Sequence, residues 1–187
     1  LELIEANVGV PLAAQSVLPH RLAAGGLTSV ADASGEDGFG GYAFAADAPE
    51  KVFILSEFWP ANALSALLAS ADEAQAELRR RGSHTAVPHL PMPAAELFTA
   101  VLLPLLVHRS LPLGIAYAVG DCMPAVYALE SLYSKRRQMR TLVTAARDSG
   151  IRWAPAHVPR DFNVDADRLS HPAGYAAVAR EAADAGY

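Results

Sequence analysis

The hydrophobic pattern of this chain changes from strand to helical period close to residue 60, and that change limits the possible folds more than any other feature of the sequence. Before it, short segments lie between glycine turns. Leu27-Thr28-Ser29-Val30-Ala31-Asp32 leads into Ser34-Gly35-Glu36-Asp37-Gly38, and Phe39-Gly40-Gly41-Tyr42-Ala43-Phe44 follows, with Tyr42 and Phe44 on one face at period 2. Strand, glycine turn and strand predict a hairpin. Lys51-Val52-Phe53-Ile54-Leu55-Ser56 predicts a third strand, so the first part of the chain reads as an antiparallel meander.

After the change, helical spacing dominates. Residues 62–80 place Leu64, Leu67, Leu68 and Leu78 among alanines and charges, and Arg79-Arg80-Arg81-Gly82 supplies basic residues and a glycine stop at the C-terminal end. His84 to Pro91 is a proline-punctuated loop, and Pro93 opens a helix running to about His108, where its missing N–H costs nothing. The apolar run 113–119 is a strand, helices are expected over 124–133 and 135–148, and Gly150 precedes a fifth strand over 151–156. A last helix spans about 164–183, with Pro172-Ala173-Gly174 as a candidate break. No internal repeat is present. The pattern predicts an α/β fold with a five-stranded mixed sheet, three strands antiparallel and two parallel, flanked by helices. Residues 1–26, interrupted by Pro11, Pro19 and Gly25-Gly26, read as a connector or packed arm, and 27–187 as the domain, with 57–92 an extra helical insertion.

Composition narrows the function classes. Apolar residues make up 52% of 187 and charged residues 19%, enough for a core and unlike a disordered chain. The most apolar stretch, 94–107, carries Glu96 and Pro104 and is shorter than a membrane span needs, so no membrane partner is expected. A single cysteine, Cys122, rules out an internal disulfide framework and fits an intracellular setting, in cytoplasm or nucleus. The chain opens without an initiator methionine or a secretory signal and reads as a piece of something longer. A formal charge of −5 is unlike that of a general nucleic-acid binder, so any such role must rest on a local basic patch or on metal ions.

Four acids stand out by position. Asp32 ends the first strand of the hairpin, in phase with Val30 and Thr28; Glu96 lies in the first turn of the Pro93 helix; Asp121 directly follows the apolar strand; Asp167 lies near the start of the last helix. Each has an ordinary reading as well: a turn residue, a partner of the helix dipole, an N-cap, and, with Asp165, a solvated helix start. Together, two strand ends and two helix starts can converge at one edge of an α/β sheet. Carboxylates that close repel one another, and hard divalent cations with oxygen ligands relieve the repulsion.

In this order the residues resemble the ribonuclease H domain of retroelement reverse transcriptases, especially the DIRS-like and gypsy-like groups. The elements that carry the resemblance are Asp32-Ala33-Ser34 with Gly38-Phe39-Gly40-Gly41, then Pro93-Ala94-Ala95-Glu96-Leu97, Ala118-Val119-Gly120-Asp121, Trp153-Ala154-Pro155-Ala156-His157-Val158-Pro159, and Asn163-Val164-Asp165-Ala166-Asp167-Arg168-Leu169-Ser170. It covers roughly residues 27–171, and the closing element is its most specific part; the Ala-Asp-x-Leu-Ser frame fits Asp167 and not Asp165. There are departures: Cys122 where the family has Asn, Arg160 where Gly is common, His171 in place of Arg, and 64 positions between Asp32 and Glu96, a longer gap than usual, filled by the 57–92 insertion.

The resemblance implies a ribonuclease H-like fold and endonucleolytic hydrolysis of the RNA strand of an RNA–DNA hybrid. It makes Asp32, Glu96, Asp121 and Asp167 the ligands of two Mg²⁺ ions, with Mn²⁺ able to substitute, and makes His157 an assistant in proton transfer and product release. It leaves 3′-hydroxyl and 5′-phosphate ends and implies a reverse transcriptase domain covalently linked in the parent polyprotein. Ser34, Cys122 and Asn163 are its candidate nucleic-acid contacts. Lys135, Arg136, Arg137 and Arg140 are the candidate phosphate-tracking patch; a solvated helix face, with Met139, Leu142, Val143 and Ala146 turned inward, is the ordinary reading of the same segment. Trp59 and Trp153 read as core or rim aromatics. Two other functions remain: a degenerate module of the same fold that holds hybrid or packs on a polymerase, and another nuclease of the superfold. Against a 3′–5′ exonuclease, Ser34 stands where Asp-x-Glu would place its Glu; an integrase would lack the Glu96 helix in this order.

Overall fold

The computed structural model describes residues 4–7, 26–35, 37–45, 48–80, 91–110 and 112–184. Three long strands form the expected meander: β2 (Gly26–Ala33), β3 (Gly38–Ala45) and β4 (Ala48–Phe58), paired antiparallel in the order β4-β3-β2. On the far side of β2, β5 (Ile115–Gly120) runs parallel to it. The fifth expected strand, 151–156, is split by Ala154-Pro155 into two short strands, β6 (Arg152–Trp153) and β7 (Ala156–His157), both parallel to β5. Proline lacks the N–H that would continue a ladder, so the strand breaks there. One strand was not foreseen: β1 (Ile4–Asn7), inside the segment read as a connector, pairs antiparallel with β4 and extends the sheet. The rest of that segment lies outside the described residues, as do 81–90 of the insertion.

Helices cover both faces. On one face, α2 (Met92–Ser110) lies against β2, β3 and β5, and α1 (Ala61–Arg80), α3 (Met123–Ser131) and α4 (Arg137–Asp148) pack outside it. The core here includes Leu27, Phe39, Leu55, Leu97, Val101, Leu103, Leu129, Met139 and Val143. Trp59 is buried in it against Phe39 and Phe98, with ring centroids 4.9 and 5.7 Å away, and its indole N–H donates to the Ser34 carbonyl at 2.8 Å. On the other face, α5 (Val164–Ser170) and α6 (Tyr175–Asp184) cover Val30, Tyr42, Phe44, Val52, Ile54 and Val119. A short 3-10 turn, Pro172–Gly174, is the break in the last helix, and Arg168 joins its two halves through a bidentate pair with Glu181 at 2.7 and 2.8 Å.

The stretch judged too short for a membrane span is in fact a helix of 19 residues, long and apolar enough by composition to cross one. Its composition has another cause. The sheet takes one side of α2 and the helices α3 and α4 the other, so Ala94, Ala95, Leu97, Thr99, Val101, Leu103, Pro104 and Val107 are all buried inside the protein.

Candidate metal centre

The sheet changes from antiparallel to parallel at β2, and the site lies where that change occurs. Val30 of β2 sits opposite Val119 of β5, so the chain positions two residues further on, Asp32 and Asp121, lie opposite each other at the C-terminal edge of the two parallel strands. Ligand crevices in sheets of this kind lie outside the carboxyl ends of the strands, at a switch in strand order. Glu96 comes from the second turn of α2, not the first turn that the sequence suggests, because the helix already begins at Met92; α2 crosses beneath the end of β2, and the Ala33 backbone hydrogen-bonds the Glu96 carboxyl. Carboxylate oxygens of Asp32, Glu96 and Asp121 all lie within 4.8 Å of one another. Three of the four acids singled out in the sequence therefore meet.

The fourth is close but apart. Asp167 lies on α5, across the face that carries Asp32, and its charge acts on Asp32, yet its carboxylate pairs with the Arg160 guanidinium at 3.3 Å and is not among the three clustered carboxylates. Its neighbour Asp165 faces elsewhere, toward Arg168 at 3.7 Å, which agrees with the sequence frame that picks Asp167. What brings α5 near the site is a glycine. A Cβ at Gly40 would lie 2.1 Å from the Leu169 carbonyl oxygen, so only glycine on β3 allows the helix to sit this close. Ser56 Oγ donates to the same carbonyl at 2.6 Å. His171, at the end of α5, pairs through Nδ1 with Asp37 of the β2–β3 turn at 2.6 Å.

The electrostatics follow from burial and crowding. Burial pushes the Asp32 carboxyl up to about 6; the Asp121 and Asp167 charges add to the rise, and a hydrogen bond from Ser170 opposes it. Burial, with the Asp32 and Asp121 charges next, drives Glu96 up to about 9, while the Arg160 charge opposes the rise. Three carboxylates this close cannot all ionise at neutral pH without a counter-cation. An all-carboxylate donor set is hard, and it suits a hard divalent ion such as Mg²⁺. The side chains therefore fit the metal that the resemblance implies.

The remaining candidates divide. His157 lies at the end of β7, exposed, with Nε2 3.1 Å from the Asp121 carbonyl. A carbonyl only accepts, so Nε2 carries the proton of that contact. Cys122 is half-buried beside Asp121, its thiol pushed up mainly by burial, and the Arg136 charge reaches it. Ser34 stays at the turn, its hydroxyl accepting from the Asp37 N–H at 3.3 Å. Asn163, expected as a nucleic-acid contact, is instead 1% exposed, and its amide donates to Asp32 Oδ1 at 3.2 Å. It braces a carboxylate rather than meeting solvent. Lys135, Arg136, Arg137 and Arg140 are all exposed, and Met139, Val143 and Ala146 are buried behind them, with Leu142 partly buried. Arg137 also lines a crevice of about 390 Å³ between α1 and α4, so α1 borders the patch. Two contributors escaped the sequence: Ser170, and Arg160, visible there only as a basic residue where a small one is common.

No protein-family model matches the chain, and no curated protein matches it in sequence. Among solved structures it is similar to the N-terminal RNase H domain of Rv2228c from Mycobacterium tuberculosis, solved as a fusion with maltose-binding protein, with 18% identity over 77% of this chain and 95% of that one and a TM-score of 0.51. It is also similar to RNase H1 from the halophilic archaeon Halobacterium salinarum NRC-1, with 15% identity over 77% of this chain and 92% of that one and a TM-score of 0.49. The likeness to the mycobacterial domain shows that the chain has the ribonuclease H-like fold, the mixed sheet flanked by helices that its sequence predicts.

Proposed function

We propose that the protein hydrolyses the RNA strand of RNA–DNA hybrids with divalent cations. The single observation that carries this reading is the meeting of Asp32, Glu96 and Asp121 within 4.8 Å at the switch point of a ribonuclease H-like sheet. The three carboxylates, joined by Asp167, would hold two Mg²⁺ ions, with Mn²⁺ as a substitute. When bound, the ions supply a nucleophilic water at neutral pH and charge stabilisation for the departing 3′ oxygen. Asn163 fixes the Asp32 carboxylate through its Nδ2–H. His157, anchored by Nε2–H to the Asp121 carbonyl, keeps Nδ1 for taking up or returning a proton at the rim. Arg136, whose charge reaches Cys122 beside the acidic cluster, and the exposed Lys135 and Arg140 would follow the phosphates of the hybrid, whose A-like shape and 2′-hydroxyls supply selectivity. The finer setting, an intracellular retroelement polyprotein with a linked reverse transcriptase, rests on the motif order alone.

The test is cleavage of a labelled hybrid in Mg²⁺. The wild-type chain should yield 3′-hydroxyl products, and Asp32→Asn should lower the rate by about 100-fold or more. Equal rates for the two, or digestion of single-stranded DNA in preference to hybrid, overturn the proposal. One observation favours a second reading, a module that holds hybrid without cutting it: Asp167 is engaged by Arg160 rather than by the cluster. Tight hybrid binding with no Mg²⁺-dependent cutting at high protein concentration would establish that module instead.

A further inference from the structure

The residue between the histidine strand and α5 is unlike the rest of the site's rim. Arg160 follows Pro159 and opens a short 3-10 turn, Arg160–Phe162, that leads directly into Asn163 and α5. Its side chain is 80% exposed, so the fold does not need it for packing. Among the described residues its guanidinium makes one ion pair, with Asp167 Oδ1 at 3.3 Å, and its charge also acts on Asp32, Glu96 and Asp121. Arg160 is thus a cation set over the mouth of an acidic pocket, engaged by the one site acid that stands outside the cluster. Exposed pairs of this kind shift an equilibrium by no more than about fivefold, so either partner leaves the other readily for a better one. A guanidinium also matches a phosphate in two-pronged fashion, which a lysine does not.

We infer that Arg160 is a partner-exchanging residue: it holds Asp167 in competition with divalent cations, and once Asp167 is released it contacts a phosphate of the bound nucleic acid. The inference rests on the metal-dependent reading above. It deepens that reading by assigning a specific phosphate contact at the site's mouth and a role for the Arg160–Asp167 pair. The exposed carboxylate and the exposed guanidinium neutralise each other until metal and substrate arrive together, so each arrival favours the other.

Two measurements on wild type, Arg160→Ala and Arg160→Lys test this. In the first, Mn²⁺ is titrated calorimetrically into each protein without nucleic acid. Arg160→Ala should bind Mn²⁺ about two- to fivefold more tightly than wild type, because Asp167 loses its competitor. In the second, binding of an RNA–DNA hybrid is followed with Ca²⁺ in place of Mg²⁺ at several salt concentrations, with strand integrity checked on gels. Arg160→Ala should bind about five- to tenfold more weakly, with the slope of log affinity against log salt shallower by about one, and Arg160→Lys should regain the slope. Unchanged or weaker Mn²⁺ binding in Arg160→Ala, or an unchanged salt slope, overturns the exchange. Wild-type protein that takes up no Mn²⁺ removes both this inference and the reading beneath it. Wild type that binds Mn²⁺ no differently from Arg160→Ala removes the inference alone.

Discussion

At the scale of single residues, the site is defined by carboxyls held away from their ordinary ionisation. Asp32 and Glu96, at about 6 and about 9, keep protons in the folded, metal-free chain that they lose in the unfolded one. A raised acid stabilises the fold fully only below its unfolded value, near pH 4, and that stabilisation is lost as pH rises through the folded value. The metal-free protein should therefore lose thermal stability steadily between about pH 4 and pH 9. Glu96→Gln should flatten most of this loss and raise the melting temperature in EDTA at pH 8 by several degrees, since each 1 kcal/mol is worth about 2–4 °C in a chain of this size. Differential scanning calorimetry across pH checks both, and a pH-independent melting temperature would contradict the burial of these groups. Saturating Mg²⁺ should suppress the same loss in the wild type, since a cation replaces the protons. Asp32, Glu96, Asp121 and Asp167 were legible in the sequence because each falls where an element begins or ends. Asn163 was legible as a site residue but not in its role, because burial against a strand 131 positions away leaves no mark on local spacing.

At the scale of elements, α5 shows how small residues place chemistry. The helix has only seven residues, Val164–Ser170, and reaches the sheet through Ala166 and Leu169, both buried. It can do so only because β3 presents Gly40 beneath the Leu169 carbonyl. A methyl group there must push the helix outward, so Gly40→Ala should destabilise the fold by about 1–3 kcal/mol, the usual range for overpacking. It should also reduce hybrid cleavage beyond the loss of folded protein, because Asn163 and Asp167 move with the helix. Denaturant unfolding and rates corrected for the folded fraction separate the two effects. The element pattern itself was largely readable: the hairpin, the helix after it, the helix opened by Pro93 and the parallel strand before Asp121 all appear within a few residues of their expected limits. The break of the last strand at Ala154-Pro155 was signalled by its proline, whereas the pairing of Ile4–Asn7 with β4 was not, since nothing in a four-residue segment names its partner.

At the scale of the whole molecule, charge and burial pull against simple readings of composition. Under the proposed function, a chain of formal charge −5 would meet a polyanion only through a local concentration of positive charge and through cations held by its clustered carboxylates. Replacing Lys135, Arg136 and Arg140 together by alanine should weaken hybrid binding roughly uniformly across sequences. It should make the salt dependence shallower by about two to three, while leaving the melting temperature within about 1 °C, since all three side chains are exposed. An unchanged salt slope would return this patch, Arg140 on α4 with Lys135 and Arg136 just before it, to the role of a solvated surface. The helix α2 carries the opposite lesson. Its sequence is apolar enough for a bilayer because the sheet and the helices outside it cover both of its sides.

The sequence alone determined the succession of strands and helices and the identity of the acids. Hydrophobic period, glycine turns and proline positions act over a few residues and are written locally. Only the tertiary structure decided that three of those acids share a pocket while the fourth is held by Arg160, that Asn163 faces inward, and that β4 gains another strand. Those outcomes depend on distances between segments far apart in the chain, which are set by strand register and by how closely a helix can approach a sheet.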